Sequence, residues 1–413
     1  MKQHLLSTSL QIPSKTPHLL IAGLPGMGKD NFGEGYITKK IGKYKVFDLH
    51  NESRGEGMYY SLKQDDIVMQ NRMKALSNGI LKPRAYKNKI IMFLGHNLKK
   101  MPILPKNVEV CVFNEQWLSN DDLKDFLVFN ESQSGLLDTI FEIHEDKHIT
   151  LTELYNFLLG ASKENSKEKR QLKNYGGAHY LSISTIKRRC RSILRSGIFY
   201  NDDGDIPKYF KYLNLEDEAR SRDVLTTFST YLIEDEYISF VCFNVLLKKL
   251  IELIELRQVN IPLLFYIREL NDFYFQKQNA PSYVISIRNS IEKILRRGRF
   301  LGRSKIMVVA NTQLPNDLPS VVFNSFNKFV VFRLPLSESK RFLNKATIPL
   351  FYLYKIHKLE VGMAMYIANG MFYYPERINP TQHKKSEPEF DVFTHLNKVY
   401  QYANYKNSNF ISA

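Results

Sequence analysis

The chain has 413 residues, 44% of them apolar, enough for one large core or two ordinary ones and too many for wholesale disorder. Its formal charge of +16 favours a polyanionic partner, nucleic acid or an anionic membrane surface, although a lysine-rich composition accounts for the surplus equally well. The three scattered cysteines, Cys111, Cys190 and Cys242, exclude a disulfide framework and a C-x-x-C zinc ribbon.

Short β-rich runs alternate with helical ones, which predicts an α/β fold with a mostly parallel sheet. Strands are expected over 18–22, 44–49, 89–94 and 108–113, then again over 224–229, 262–267, 305–310 and 328–332. Residues 363–368 and 371–374, joined by Asn369-Gly370, read as a closing hairpin. Between 114 and 222 the spacing turns helical, with Thr150-Leu-Thr-Glu153 as a capping box and a helix over 184–194 carrying Lys187, Arg188, Arg189, Arg191 and, just beyond it, Arg195. A further helix is expected over 236–256. It is the most apolar of all, but Lys248 and Lys249 make it too amphipathic to span a bilayer. The opening residues are polar and show no signal peptide, so a cytoplasmic protein without membrane insertion is expected. The division that follows is 1–114 and 223–384 as two parts of one core, 115–222 as a helical insertion, and 385–413 as a tail.

Gly23-Leu24-Pro25-Gly26-Met27-Gly28-Lys29 lies between an apolar strand and a helix, the setting a Walker A phosphate loop requires. Glycines let backbone N–H groups curl around phosphate oxygens, and the following helix N-terminus favours negative charge. Lys29 would reach the β- and γ-phosphates of ATP. The next position, where the pattern wants a Mg²⁺-ligating hydroxyl, holds Asp30. The strand over 263–267 ends in Arg268-Glu269, where a Walker B element has Asp-Glu. Glu269 is therefore placed as a catalytic base, and the metal-holding carboxylate has become Arg268. Two opposite departures at one metal site suggest that Asp30 and Arg268 pair, within about 4 Å; the competing expectation is that Asp30 ligates Mg²⁺ directly while Arg268 turns away or meets phosphate. Gln313, an amide at the tip of a neighbouring strand, suits sensing of the γ-phosphate.

Together these residues resemble the HerA–FtsK family of DNA-translocating and packaging ATPases. Besides the glycine loop, the resemblance rests on Asp48-Leu-His-Asn-Glu52, on the R-x-G-R-x-x-G run from Arg296 to Gly302, and on the T-Q-x-P-x-D-L-P run from Thr312 to Pro319. It implies a RecA-like P-loop core, ATP with Mg²⁺ as cofactor, a homo-oligomeric ring such as a hexamer, and duplex DNA as substrate. It makes Glu269 the catalytic glutamate, Gln313 the sensor, and Arg296, Arg297 or Arg299 a trans-acting arginine. With so short a lead before the loop, no N-terminal barrel is expected, and the resemblance is to a virus- or plasmid-type motor. Two alternatives remain: a nucleotide-binding scaffold or switch with little hydrolysis, and a motor for virion assembly or export. His144-Glu-Asp-Lys-His148 matches the H-E-x-x-H zinc signature, but Thr150 opens a new helix two residues later, so the two histidines are not expected on one continuous helix.

Overall fold

The computed structural model describes residues 18–50, 87–93, 108–175, 180–201, 210–230, 233, 235–256, 258–259, 261–274, 280–297, 306–368, 371–372 and 375–378. The chain opens with β1 (Leu19–Ala22), α1 (Lys29–Thr38), β2 (Lys45–His50), β3 (Lys87–Met92) and β4 (Val108–Asn114). Five helices follow: α2 (Asn120–Leu127), α3 (Glu131–Ile143), α4 (Leu151–Ala161), α5 (Lys167–Asn174) and α6 (Tyr180–Arg195). Next come the two-residue strands β5 (Phe199–Tyr200) and β6 (Lys211–Tyr212), and the short helix α7 (Leu215–Arg220). The second half runs β7 (Val224–Ser229), α8 (Glu236–Glu255), β8 (Leu263–Ile267), α9 (Ser282–Arg297), β9 (Ile306–Thr312), α10 (Ser320–Phe323) and β10 (Lys328–Val331). It closes with α11 (Leu336–Lys345), α12 (Leu353–His357), β11 (Met363–Ala368), β12 (Met371–Phe372) and β13 (Glu376–Arg377).

The strands form one sheet in the order β12-β11-β10-β1-β9-β8-β2-β7-β3-β4-β5, with β6 beside β4 and β13 beside β11. Pairing is parallel from β10 to β5, and β11 joins β10 antiparallel. The sheet is the expected α/β, RecA-like arrangement, and its central strands are apolar on both faces because helices cover both. Strand alternation sorts the side chains. Leu20, Phe265 and Val308 face a large cluster shared with α2–α6, α8 and α9. Leu19, Ile21, Val46, Leu264, Tyr266, Met307 and Val309 face a smaller cluster that includes Ile37 of α1. On β2, β8 and β9, every second residue therefore points at α1, which packs across β1, β9 and β8.

Two details differ from the sequence expectation. The stretch after Asn114 is mainly helical, and its capping box forms as read: Thr150 Oγ1 accepts from Glu153 N, and Glu153 Oε2 accepts from Thr150 N. Yet it also returns β5 and β6 to the sheet edge, and its helices share one apolar cluster with α8 and α9. Helices α11 and α12, between β10 and β11, were not anticipated. The closing hairpin pairs Ile367 with Phe372 and Ala368 with Met371; its Asn369-Gly370 tip lies outside the described residues.

Candidate functional site

The glycine loop joins the C-terminal end of β1 to α1. Gly28 caps α1 at φ 99°, with no side chain capping the helix, and Gly26 sits at φ 73°. Both are left-handed conformations that L side chains rarely adopt. The first amides of α1 have no intrahelical acceptor by helix geometry, so they are available to an anion. Gly23 lies so close to the end of β10 that an added Cβ would stand 2.5 Å from Phe332 Cβ. Pro25 and Gly26 are exposed, Leu24 is half-buried and Met27 is buried. Lys29 turns inward, where its Nζ donates to the Leu24 carbonyl at 3.3 Å.

On the face of the sheet toward α1, alternation places Val46 and Asp48 on β2, Tyr266 on β8 with Arg268 just beyond its end, and Val309 and Asn311 on β9. Arg268 is 2% exposed and makes a two-pronged pair with Asp48, Nε to Oδ1 at 3.0 Å and Nη2 to Oδ2 at 2.9 Å. Its remaining arm donates to Glu34 Oε1 of α1 at 3.1 Å. Burial alone would lower the arginine's pKa, but Asp48 and then Glu34 outweigh it and hold the value well above ordinary. The Tyr266 ring lies 5.1 Å from the guanidinium, and burial, then the Asp30 charge, pushes its phenol up. The expected Asp30–Arg268 pair is thus replaced. Arg268 is neutralised by Asp48 and Glu34, and Asp30 accepts instead from Asn311 Nδ2 at 2.5 Å. The reason is geometric: Glu34 lies one turn past Asp30 on α1, and Asp48 occupies the adjacent parallel strand in register with Tyr266.

Asn311 is the hub of the site. Besides Asp30, its Nδ2 reaches the Tyr266 hydroxyl at 3.3 Å, and its Oδ1 accepts from the Glu269 backbone N at 2.5 Å. Glu269 itself has φ 45°, a left-handed conformation uncommon for a non-glycine residue. Its Oε1 accepts from Gln313 Nε2 at 3.0 Å. Asn271 Oδ1 in turn accepts from Thr312 Oγ1 at 3.0 Å and Gln313 N at 3.3 Å. One amide therefore ties the residue after Lys29 to the backbone of Glu269, and a second holds the Glu269 carboxylate.

The structure brings together Lys29, Asp30, Asp48, Arg268, Glu269 and Gln313, which are far apart in sequence. Arg296 is exposed at the end of α9; the side chain of Arg297, and Arg299, Gly302, Asn51 and Glu52, lie outside the described residues. Helix α3 ends at Ile143, so His144 and His148 do not share a helical face. Their rings meet the carbonyls of Ile140 and Leu118. Sequence reasoning missed Glu34, Tyr266 and Asn311. The signals were present: Glu34 follows Asp30 by four on a helix, and Tyr266 and Asn311 sit in step with Arg268 and Val309 on their strands.

A nucleotide's phosphates fit this cradle: the glycine backbone, the α1 N-terminus and Lys29 all suit an anion. Among the described residues, no three His, Cys, Asp or Glu side chains gather as a ready-made metal cage. A Mg²⁺ held by one carboxylate and nucleotide phosphates needs none. Asp30 offers that carboxylate, whereas Arg268 cannot.

No family model matches the chain, and no curated protein matches it in sequence. Solved structures do match in fold. VirB4 of Thermoanaerobacter pseudethanolicus aligns with a TM-score of 0.53 at 10% identity, over 87% of this chain and 88% of that one. The bacterial conjugative coupling protein TrwB, with sulphate, aligns at 0.54 and 12% identity, over 94% of this chain and 92% of that one. TrwB in complex with ADP and Mg²⁺ aligns at 0.53 with the same identity and coverage. The chain shares its fold with these proteins, so the resemblance read from the sequence holds as a likeness of fold alone.

Proposed function

We propose that the chain is an ATP-binding motor that handles DNA, working as a homo-oligomeric ring, such as a hexamer, in the cytoplasm. The observation that carries the reading is the Asn311 hub, which couples Asp30 beside the phosphate-loop lysine to Glu269 at the next strand but one. In this reading Gly23, Leu24, Pro25, Gly26, Met27, Gly28, Lys29 and Asp30 cradle the phosphates, and Lys29 exchanges the Leu24 carbonyl for phosphate oxygens. Glu269 takes the proton of the attacking water, and Gln313 holds that carboxylate in place. Bound Mg²⁺ would neutralise phosphate charge, with Asp30 as its protein ligand. The fold shared with a coupling protein whose structure holds ADP and Mg²⁺ supports the nucleotide assignment. The same likeness, together with the +16 charge, supports duplex DNA as the object moved. Residues 1–114 and 223–384 act as the motor core, 115–222 as its helical insertion and 385–413 as a tail. Among the described residues, no helix is long and apolar enough to cross a membrane.

A second reading has its own support. Arg268 occupies the usual metal-holding position and takes both oxygens of Asp48, which favours a nucleotide-binding scaffold or switch with slow turnover. ATP hydrolysis by the purified chain, with and without duplex DNA, separates the two. The motor reading expects turnover stimulated by DNA. Lys29→Ala should weaken ATP binding about 10- to 100-fold, the worth of one charge-assisted contact. Glu269→Gln should keep ATP binding and lower kcat about 10²- to 10⁴-fold. ATP affinity unchanged in Lys29→Ala would reduce the glycine loop to a turn. Binding without turnover in the wild type would leave the switch. Turnover that ignores DNA would favour an assembly or export motor.

A further inference from the structure

The positive charge of this chain is not spread evenly. Residues 161–200 hold ten Lys and Arg against two Glu, half of the net +16, and no acidic residue occurs between Glu168 and Asp202. An ordinary solvated helix face mixes both signs. Here the sequence alone cannot say whether the cations are structural or displayed, and the structure sorts them.

Helix α6 is amphipathic, with Ile183, Ile186, Cys190 and Ile193 buried against α3 and α4. Two of its five cations belong to the packing. Lys187 Nζ donates to Ser162 Oγ of the α4 C-cap at 2.8 Å. Arg189 Nη1 donates to the Leu127 carbonyl at 2.5 Å and to Gln133 Oε1 at 2.8 Å, and its guanidinium lies 3.4 Å from the Phe129 ring centre. Burial lowers its pKa from the ordinary value. The other three, Arg188, Arg191 and Arg195, are exposed, and among the described residues none forms an ion pair with a carboxylate. At 100° per residue they fall within about 60° of one another, on the side opposite the buried isoleucines. Ser184 and the exposed Leu181 continue the same stripe toward the N-terminus, where Tyr180 is 67% exposed.

We infer that this arginine stripe of α6 is the surface through which the helical insertion grips the phosphate backbone of duplex DNA. The inference rests on the DNA-motor reading and adds to it where the contact is made. From Arg188 to Arg195 the stripe is about 10 Å long, seven residues at 1.5 Å each. Phosphates on one DNA strand rise about 3.4 Å apiece, so three arginines match a short run of them. Guanidinium groups suit this partner because their planar forks bind phosphate oxygens in pairs. Among the described residues they have no carboxylate partner to leave on binding. A grip made by arginines on phosphate oxygens is independent of base sequence.

The test is fluorescence anisotropy with a labelled duplex of mixed sequence, titrated at several salt concentrations with full-length protein. The variants are the triple Arg188→Ala/Arg191→Ala/Arg195→Ala and the triple exchange of the same residues to Lys. The alanine triple should bind at least about tenfold more weakly at low salt, and its log–log salt slope should be shallower by about 3, roughly one per lost phosphate contact. The lysine triple should keep most of the slope, and both should keep wild-type ATP affinity and melting. Because Arg189 and Lys187 are left in place, packing of α6 is preserved. A wild-type chain that binds no duplex at low salt would overturn the DNA reading itself and this inference with it. Wild-type binding with an unchanged slope in the alanine triple would overturn the inference alone and move the contact elsewhere. If the triple loses binding to polyglutamate but not to duplex, the stripe serves an acidic protein and the inference fails.

Discussion

Replacing Arg268 with Met tests the charge triad directly. The wild-type guanidinium makes three charge-assisted hydrogen bonds, at 2.9, 3.0 and 3.1 Å, to carboxylates that are 0% and 1% exposed. Each such bond is worth roughly 1.5–3 kcal/mol, but desolvating three charges offsets most of that sum. What the substitution leaves is the larger effect: Asp48 and Glu34, both buried and both negative, without their cation. Removing one member of a buried ion pair costs about 3–5 kcal/mol, and two stranded carboxylates place this case at the upper end. Urea unfolding followed by tryptophan fluorescence at pH 7 should show that loss. The variant should recover on acidification. Protonation removes the charge that the missing guanidinium leaves uncompensated, so the penalty is largest at neutral pH and fades on acidification. The triple change Arg268→Met, Asp48→Leu, Glu34→Leu should regain most of the stability, since an apolar replacement of a buried ion cluster is often neutral. Loss below about 1 kcal/mol in Arg268→Met, or no recovery at low pH, would refute the triad as the element that neutralises this face.

Two other expectations concern neighbouring groups. Asn311→Ala removes the link between Asp30 and the Glu269 backbone; kcat should fall while ATP affinity holds, with a stability loss of about 1–3 kcal/mol. Unchanged turnover would show that Glu269 is positioned without it. Lys45, wholly buried at the start of β2 beside β7, donates to Thr226 Oγ1 at 2.7 Å and to the Val224 carbonyl at 3.1 Å. Burial pushes its ammonium down to about 8 from 10.5, against the pull of Glu218. Between those values the unfolded chain binds more protons, so stability should rise with pH from about 8 to 10.5, by up to about 3 kcal/mol. Lys45→Met should lack that rise, and equal pH profiles for the two proteins would contradict the burial.

The strands and the phosphate loop were legible because apolar runs and glycine spacing are local. The strand starts and ends differ from the sequence reading by a few residues, and 224–229 and 363–368 agree throughout. The charge compensation was half legible. Two opposite departures at one site implied that Arg268 needs a carboxylate, but nothing local says which. That choice depends on β2 lying beside β8, a pairing between residues about 220 apart. Asn311 was hidden for a related reason: an asparagine after an apolar strand looks like a turn residue until its neighbours are known. In α6 the sequence supplied five cations of equal appearance, and only packing separated the two that hold the bundle from the three that face out.

The order of strands has a consequence for how the chain acquires this site. Strands β8 and β9 lie between β1 and β2, and β10 closes the other side of β1. A nascent chain therefore exposes the glycine loop early but has nothing to lay β1 against until residues beyond 306 have emerged. The first strand must wait, unpaired, for the last quarter of the polypeptide. Such distant pairings make folding slow, because loop closure is spent before contacts repay it. At typical synthesis rates of roughly 5–20 residues per second the wait lasts on the order of 10–60 seconds. Under the proposed function nucleotide binds only after that closure, so the ligand would stabilise completed molecules and none of the earlier intermediates. A ribosome-bound chain stalled near residue 300 carries the whole phosphate-loop sequence and should hold no ATP.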